Sequence, residues 1–155
     1  MRVDVTDRKI VEGRIKRIES GKVCRLIALM GDEIIAADGA LEIEERDPAK
    51  HVGELRLIVR RAFQRKGLGM LMARELHFIG LQKNIKRLIV KMMRPQIGAQ
   101  RIFQKLGFTE EEVIPGFAKD RTGKYQDLII MSCDIEDRFR ELEEFFLESD
   151  WGSHR

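Results

Sequence analysis

The chain has 155 residues, 43% of them hydrophobic, enough to bury one core and short for two, so a single domain over residues 1–155 is expected. Charged residues make up 35%, but 29 Lys+Arg against 26 Asp+Glu leave a net charge of only +3; with 6% aromatics and no basic run, nucleic acid is not an expected partner. No apolar run approaches the roughly 20 residues of a membrane span, no signal-peptide core opens the chain, and Cys24 and Cys133 lack metal or redox spacing, so a cytoplasmic protein with reduced, buried thiols, no membrane contact and no metal is expected.

Residues 6–20 carry Val11, Ile15 and Ile18 at helical spacing behind Thr6 or Asp7 as an N-cap, which predicts a first helix weakened by Gly13. The runs KVCRLIALM and EIIAADGALEIEE flank a Gly31-Asp32 turn and predict a β-hairpin. After a polar loop at Arg46, Asp47 and Pro48, the stretch ELRLIV alternates, with Leu55, Leu57 and Val59 on one face and Glu54, Arg56 and Ile58 on the other. Beyond QRKGLGM, a helix is marked by Leu68, Leu71, Met72, Leu76 and Ile79, with Gly80 and Asn84 at its end. RLIVKMM predicts a strand closed by Pro95, and a shorter helix carries Ile97, Ala99, Ile102, Phe103 and Leu106 to a stop at Gly107. Two strands, EEVIPGFAK and YQDLIIMSC, joined by the turn DRTGK, precede a final helix over about residues 134–148 with Ile135, Phe139, Leu142 and Phe146 in one stripe. Alternating strands and helices between hairpins make a mixed α/β or α+β sheet.

The stretch QRKGLGM places Gly67 and Gly69 where a strand turns into a helix. A helix start offers unpaired N–H groups and the positive end of the helix dipole, and glycines let an anion approach them, so phosphate is the expected guest. A P-loop would need Gly-Lys-Ser/Thr where Met70 follows Gly69, and the dinucleotide fingerprint would need a third glycine where Met72 stands; both are excluded.

What remains, Gln/Arg-x-x-Gly-x-Gly/Ala after a strand, resembles the pyrophosphate loop of the GNAT superfamily of acyl-CoA-dependent N-acyltransferases, with Gln64, Gly67 and Gly69 at its fixed positions. QIGAQRIFQKLGF is similar to the family's second cofactor segment, commonly Asn-x-x-Ala-x-x-x-Tyr-x-x-x-Gly-Phe, with Ala99, Gly107 and Phe108 in register. The resemblance covers about residues 22–133. It implies a central mixed, mostly antiparallel sheet with splayed middle strands, flanked by helices, and transfer of an acetyl or other short acyl group from acetyl-CoA to an amine. It also implies cofactor contacts from Gln64, Arg65, Lys66, Gly67, Leu68, Gly69 and Met70 in the loop, from Gln96, Ala99 and Phe103 in the second segment, and from the backbones of Leu57, Ile58 and Val59 on the splayed strand. Two positions depart from the pattern: Gln96 replaces the usual Asn, and Phe103 replaces a tyrosine that in many relatives protonates the departing thiolate.

Attack of an amine on a thioester needs a base, a donor for the developing oxyanion and a proton for the thiolate. Glu54 is the first candidate base, with a salt-bridged surface carboxylate as the plain alternative. His51 is the second, histidine being the common side chain for base work, with a plain loop end as the alternative. Tyr125, the one tyrosine, supplies a proton if its strand end faces the cleft. Arg60, Arg61, Arg65 and Lys66 stand near the helix start and add attraction for phosphate, while Arg101 and Lys105 lie toward the adenosine end. The expected partners are acyl-CoA and an amine, small or protein-borne; the alternative function is a non-catalytic acyl-CoA-binding module. A monomer or a homodimer is expected, according to whether the final helix packs on its own sheet or on that of another copy.

Overall fold

The computed structural model describes residues 12, 20–31, 33–46, 48–49 and 51–135, so the helices expected over 6–20 and 134–148 lie almost wholly outside the described residues. Within them, six strands form one sheet: β1 (Val23–Met30), β2 (Ile34–Ile43), β3 (Val52–Val59), β4 (Arg87–Met93), β5 (Thr109–Lys119) and β6 (Tyr125–Asp134), in the spatial order β1-β2-β3-β4-β6-β5. Helix α1 (Leu68–Gln82) follows β3, and α2 (Ile97–Lys105) follows β4. Of the neighbouring pairs only β3 and β4 are parallel, as a helical crossover allows; the rest are antiparallel. This is the mixed, mostly antiparallel sheet that the sequence implied.

Period-two alternation gives the sheet two unlike faces. On one, Leu41, Leu55, Leu88, Val90, Ile129 and Met131 are buried in a cluster with Leu76 of α1 and Phe103 of α2. Burying one such aliphatic side chain is worth about 1.5–3 kcal/mol, so this face holds the fold together. The other face is charged: Arg56 lies 3.6 Å from Glu42, Arg87 3.1 Å from Glu111, and Arg25 pairs with Asp38. Half-exposed pairs of this kind contribute about 0–1 kcal/mol each. They order a surface more than they stabilise it.

Three local expectations are corrected. Gly80 does not end a helix; it lies inside α1, where a Cβ would meet Ile135 Cδ1 at 3.2 Å and Leu88 Cδ2 at 3.4 Å. The reversal falls at Asn84, whose φ of 60° is a conformation asparagine tolerates. Ile97, expected on the apolar stripe, is the first residue of α2 and is exposed, and Cys24 on β1 is half-buried while Cys133 is buried.

Candidate active site

β3 and β4 are bridged from Val52–Arg87 to Leu55–Val90 and no further, although β3 continues to Val59 and β4 to Met93. Each keeps its other neighbour past that point: β3 stays on β2 as far as Val59–Ala37, and β4 on β6 as far as Met93–Leu128. The middle of the sheet therefore opens while its flanks stay closed.

The alternation of backbone bonds tells which groups face the opening. Glu44 N–H donates to Val52 O and Arg60 N–H to Ala36 O, so even-numbered residues of β3 bond β2, and Leu57 and Val59 turn the other way. Ile58, expected to line the opening with them, spends its backbone on β2 and exposes 71% of its surface on the charged face. On the far bank Arg94 N–H donates to Asp127 O, which turns Lys91 and Met93 toward the gap. Two glutamines finish the edges. Gln64 Nε2 donates to Val59 O at 2.9 Å, and Gln96 Oε1 accepts from Met93 N–H at 2.7 Å.

From Val59 the chain passes through a 3-10 turn (Arg61–Phe63) and two left-handed residues, Arg65 (φ 61°) and Gly67 (φ 81°), before α1 begins. A left-handed arginine is strained by about 1–2 kcal/mol, which marks the loop as a held conformation. The first intrahelical bond runs from Leu71 N–H to Gly67 O, so the amides of Leu68, Gly69 and Met70 precede it, with no side-chain cap and no acidic residue in the first turn. An arrangement of this kind can seat an anion. Gly69 also governs packing, since a Cβ there would lie 3.0 Å from Ile102 Cδ1 and 3.5 Å from Val59 Cγ2; its bareness lets α1 lie close to α2 and to the end of β3. Arg60, Arg61, Arg65 and Lys66 are exposed around the loop.

The catalytic candidates separate. Glu54 sits one residue before the last bridge, its carboxylate 3.7 Å from Lys91 Nζ and 3.9 Å from Arg56 Nε. It borders a recess of about 240 Å³ that Glu42, Glu44, Ala49, Val52 and Ile89 also line. His51 stands at the bridged end, its Nδ1 3.0 Å from Pro48 O and its carbonyl accepting from Lys86 and Arg87 N–H. Six residues, about 20 Å of extended chain, separate it from Leu57, so His51 stands just ahead of β3, far along the strand from the opening. Tyr125 lies beyond the paired part of β4 in the β5–β6 hairpin, 61% exposed, with Lys119 Nζ 4.9 Å over its ring. Phe103 is 3% exposed and packs edge-on against Phe108 at 5.1 Å; it is a core residue, and Ala99 packs half-buried beside it. The partner of Glu54, Lys91, went unmarked in the sequence, although one cation past the start of an apolar strand points away from the core.

His77 of α1 is a buried imidazole, 1% exposed, with neither ring nitrogen hydrogen-bonded among the described residues and Phe108 edge-on at 6.2 Å. Burial pushes its pKa down to about 4. Among the described residues no cluster of His, Cys, Asp or Glu is arranged for a metal ion, and no helix is long and apolar enough to cross a membrane.

The parted strands, the uncapped helix start and the glycine loop agree with the family model "Acetyltransferase (GNAT) family", which matches residues 6–108. The chain belongs to the GNAT acetyltransferase family. Its fold recurs in a GNAT-family acetyltransferase from Streptococcus pneumoniae, 24% identical, with a TM-score of 0.71 over 77% of this chain and 71% of that one. A ribosomal-protein-alanine N-acetyltransferase from Brucella melitensis is 18% identical, with a TM-score of 0.73 over 86% and 80%. A GNAT superfamily phosphinothricin acetyltransferase from Sinorhizobium meliloti, solved in complex with acetyl-CoA, is 14% identical, with a TM-score of 0.73 over 81% and 68%. No curated protein matches the chain. At these identities the GNAT neighbours show a shared fold, and acceptors remain their own.

Proposed function

We propose that this GNAT chain transfers an acetyl, or another short acyl, group from acetyl-CoA to an amine by direct attack on the thioester. The observation that carries the reading is the parting of β3 from β4 after Leu55–Val90, beside the amides of the Gly67 loop. The pyrophosphate would rest on the amides around residues 67–70, with the neighbouring Arg and Lys side chains adding attraction. The pantetheine arm would run past Gln96 and Ala99 into the opening, where Leu57 N–H meets the thioester carbonyl. Pairing of the neighbouring residues with β2 fixes that N–H in advance, so it stabilises the charge that develops on the oxygen without reorganising.

Glu54, about 10 Å back along the strand from Leu57, takes the proton of the amine directly or through water. Phe103 has no proton to give, and the thiolate takes one from water. Similar proteins carry the names of acceptors as different as ribosomal-protein alanine and phosphinothricin, which supports an amine as the class and leaves protein and small-molecule amines both open to test.

A second reading, an acyl-CoA-binding module without turnover, is favoured by one observation, the absence of a hydroxyl at Phe103. Calorimetric titration with acetyl-CoA, for the native chain and Gly67→Glu, followed by thiol release with a panel of amines, separates the two. Binding lost in the variant together with amine-dependent release supports the transferase. Binding without release from any amine supports the module, and no binding by the native chain removes both.

A further inference from the structure

The geometry points to Lys91 as a self-acetylation site of this chain. The inference rests on the acyltransferase reading above and adds to it a substrate that the protein carries itself. Lys91 is the first residue of β4 past the last bridge to β3, its backbone faces the opening, and its side chain shares the sheet face of Glu54 and Arg56. Its Nζ lies 3.7 Å from Glu54 Oε2, and both side chains are partly exposed. An acceptor amine must place its nitrogen beside the base and at the mouth of the thioester slot; the ammonium of Lys91 already stands beside that base. Arg56, the other cation on Glu54, stays protonated and cannot be a nucleophile, so Lys91 alone of the pair can react.

The step is ordinary acyl transfer within one molecule. Glu54 takes one proton from the Lys91 ammonium, the freed amine forms a bond to the thioester carbon, the C–S bond breaks with its electron pair leaving on the thiolate of coenzyme A, and the second proton of the attacking nitrogen passes through water to that thiolate. Tethering replaces the encounter with a free acceptor. The acetylated side chain loses its charge, and with it the ion pair to Glu54.

The test incubates the full chain with acetyl-CoA and no added amine, and maps acetyl groups by peptide mass spectrometry. Expected is one acetyl per chain at Lys91, at a rate independent of protein concentration, with incorporation at least tenfold lower in Lys91→Arg, which can keep the ion pair, and in Gly67→Glu. Acetyl spread over exposed lysines such as Lys105 and Lys119, at equal rates in the native chain and Gly67→Glu, overturns the inference as plain surface chemistry. Acetyl-CoA binding and amine turnover with Lys91 unmodified overturn it while leaving the transferase reading intact. No acetyl-CoA binding in the parallel titration overturns both.

Discussion

At one end of β3, residues 52–55 are bridged to β4 and the carbonyl of His51 holds the start of that strand; at the other, residues 56–59 keep β2 as their only strand neighbour among the described residues. Composition does not distinguish the two ends, since each carries one charged residue, Glu54 or Arg56, among otherwise uncharged ones. What differs is pairing. Where both sides of a strand are bonded, its polar backbone is consumed by the fold; where one side is released, the same N–H groups become available to a ligand. In this chain the candidate site is the part of the sheet that the sheet does not use.

The change that breaks the open end most severely is Gly67→Glu, which puts a negative charge at the anion seat and a side chain at φ 81°. Acetyl-CoA affinity should fall by at least ~100-fold in calorimetry, with a stability cost of about 1–2 kcal/mol in denaturant titration. An unaltered affinity would place the cofactor elsewhere. Next is Glu54→Gln, which should lower turnover by about 100-fold or more, with acetyl-CoA affinity held within about twofold.

A stress can also strike the core and leave the open end untouched. His77 has a folded-state pKa of about 4, below the ~6.5 of an unfolded histidine, so the unfolded chain binds the extra proton. Its penalty is absent above pH ~6.5, grows as the pH falls, and is complete below pH ~4, at roughly 3 kcal/mol. Thermal unfolding across that window should show the loss, and His77→Phe should flatten it; a native-like slope in the variant would assign the acid sensitivity to other groups. Gln64→Leu comes next, releasing Val59 O and weakening acetyl-CoA binding by about 5–10-fold, the scale of one hydrogen bond near 1 kcal/mol. The smallest effect sharpens the contrast: His51→Ala should leave turnover within about twofold, because the residue stands at the bridged end.

The strands, both helices within the described residues and the loop at Gln64, Gly67 and Gly69 were legible because each depends on neighbours in sequence: alternation, helical spacing, a turn. The place where β3 and β4 stop pairing was not, since it depends on two segments separated by a helix, and only the resemblance implied a splay. His51 and Glu54 were both candidate bases, the first just ahead of the strand and the second on it, and Ile58 was a backbone candidate further along. A straight strand spreads them along its length and alternates their backbones, which leaves Glu54 near the vertex, His51 far from it and the backbone of Ile58 on β2. Phe103 fell in the motif by position, yet its ring belongs to the core, since motif spacing does not report which way a helix face turns.

The outer strand β5 has a consequence for how the molecule lives in a crowded solution. It runs eleven residues along the rim of the sheet, a length that would invite another copy to add a strand. Three consecutive glutamates, Glu110, Glu111 and Glu112, occupy its first half, and Pro115, which lacks an N–H, sits in the irregularity between Ile114 and Ala118. Approaching copies meet this acidic stretch, part of it paired with Arg87 and Arg94, and then a broken ladder, two features that oppose the addition of a further strand at this rim.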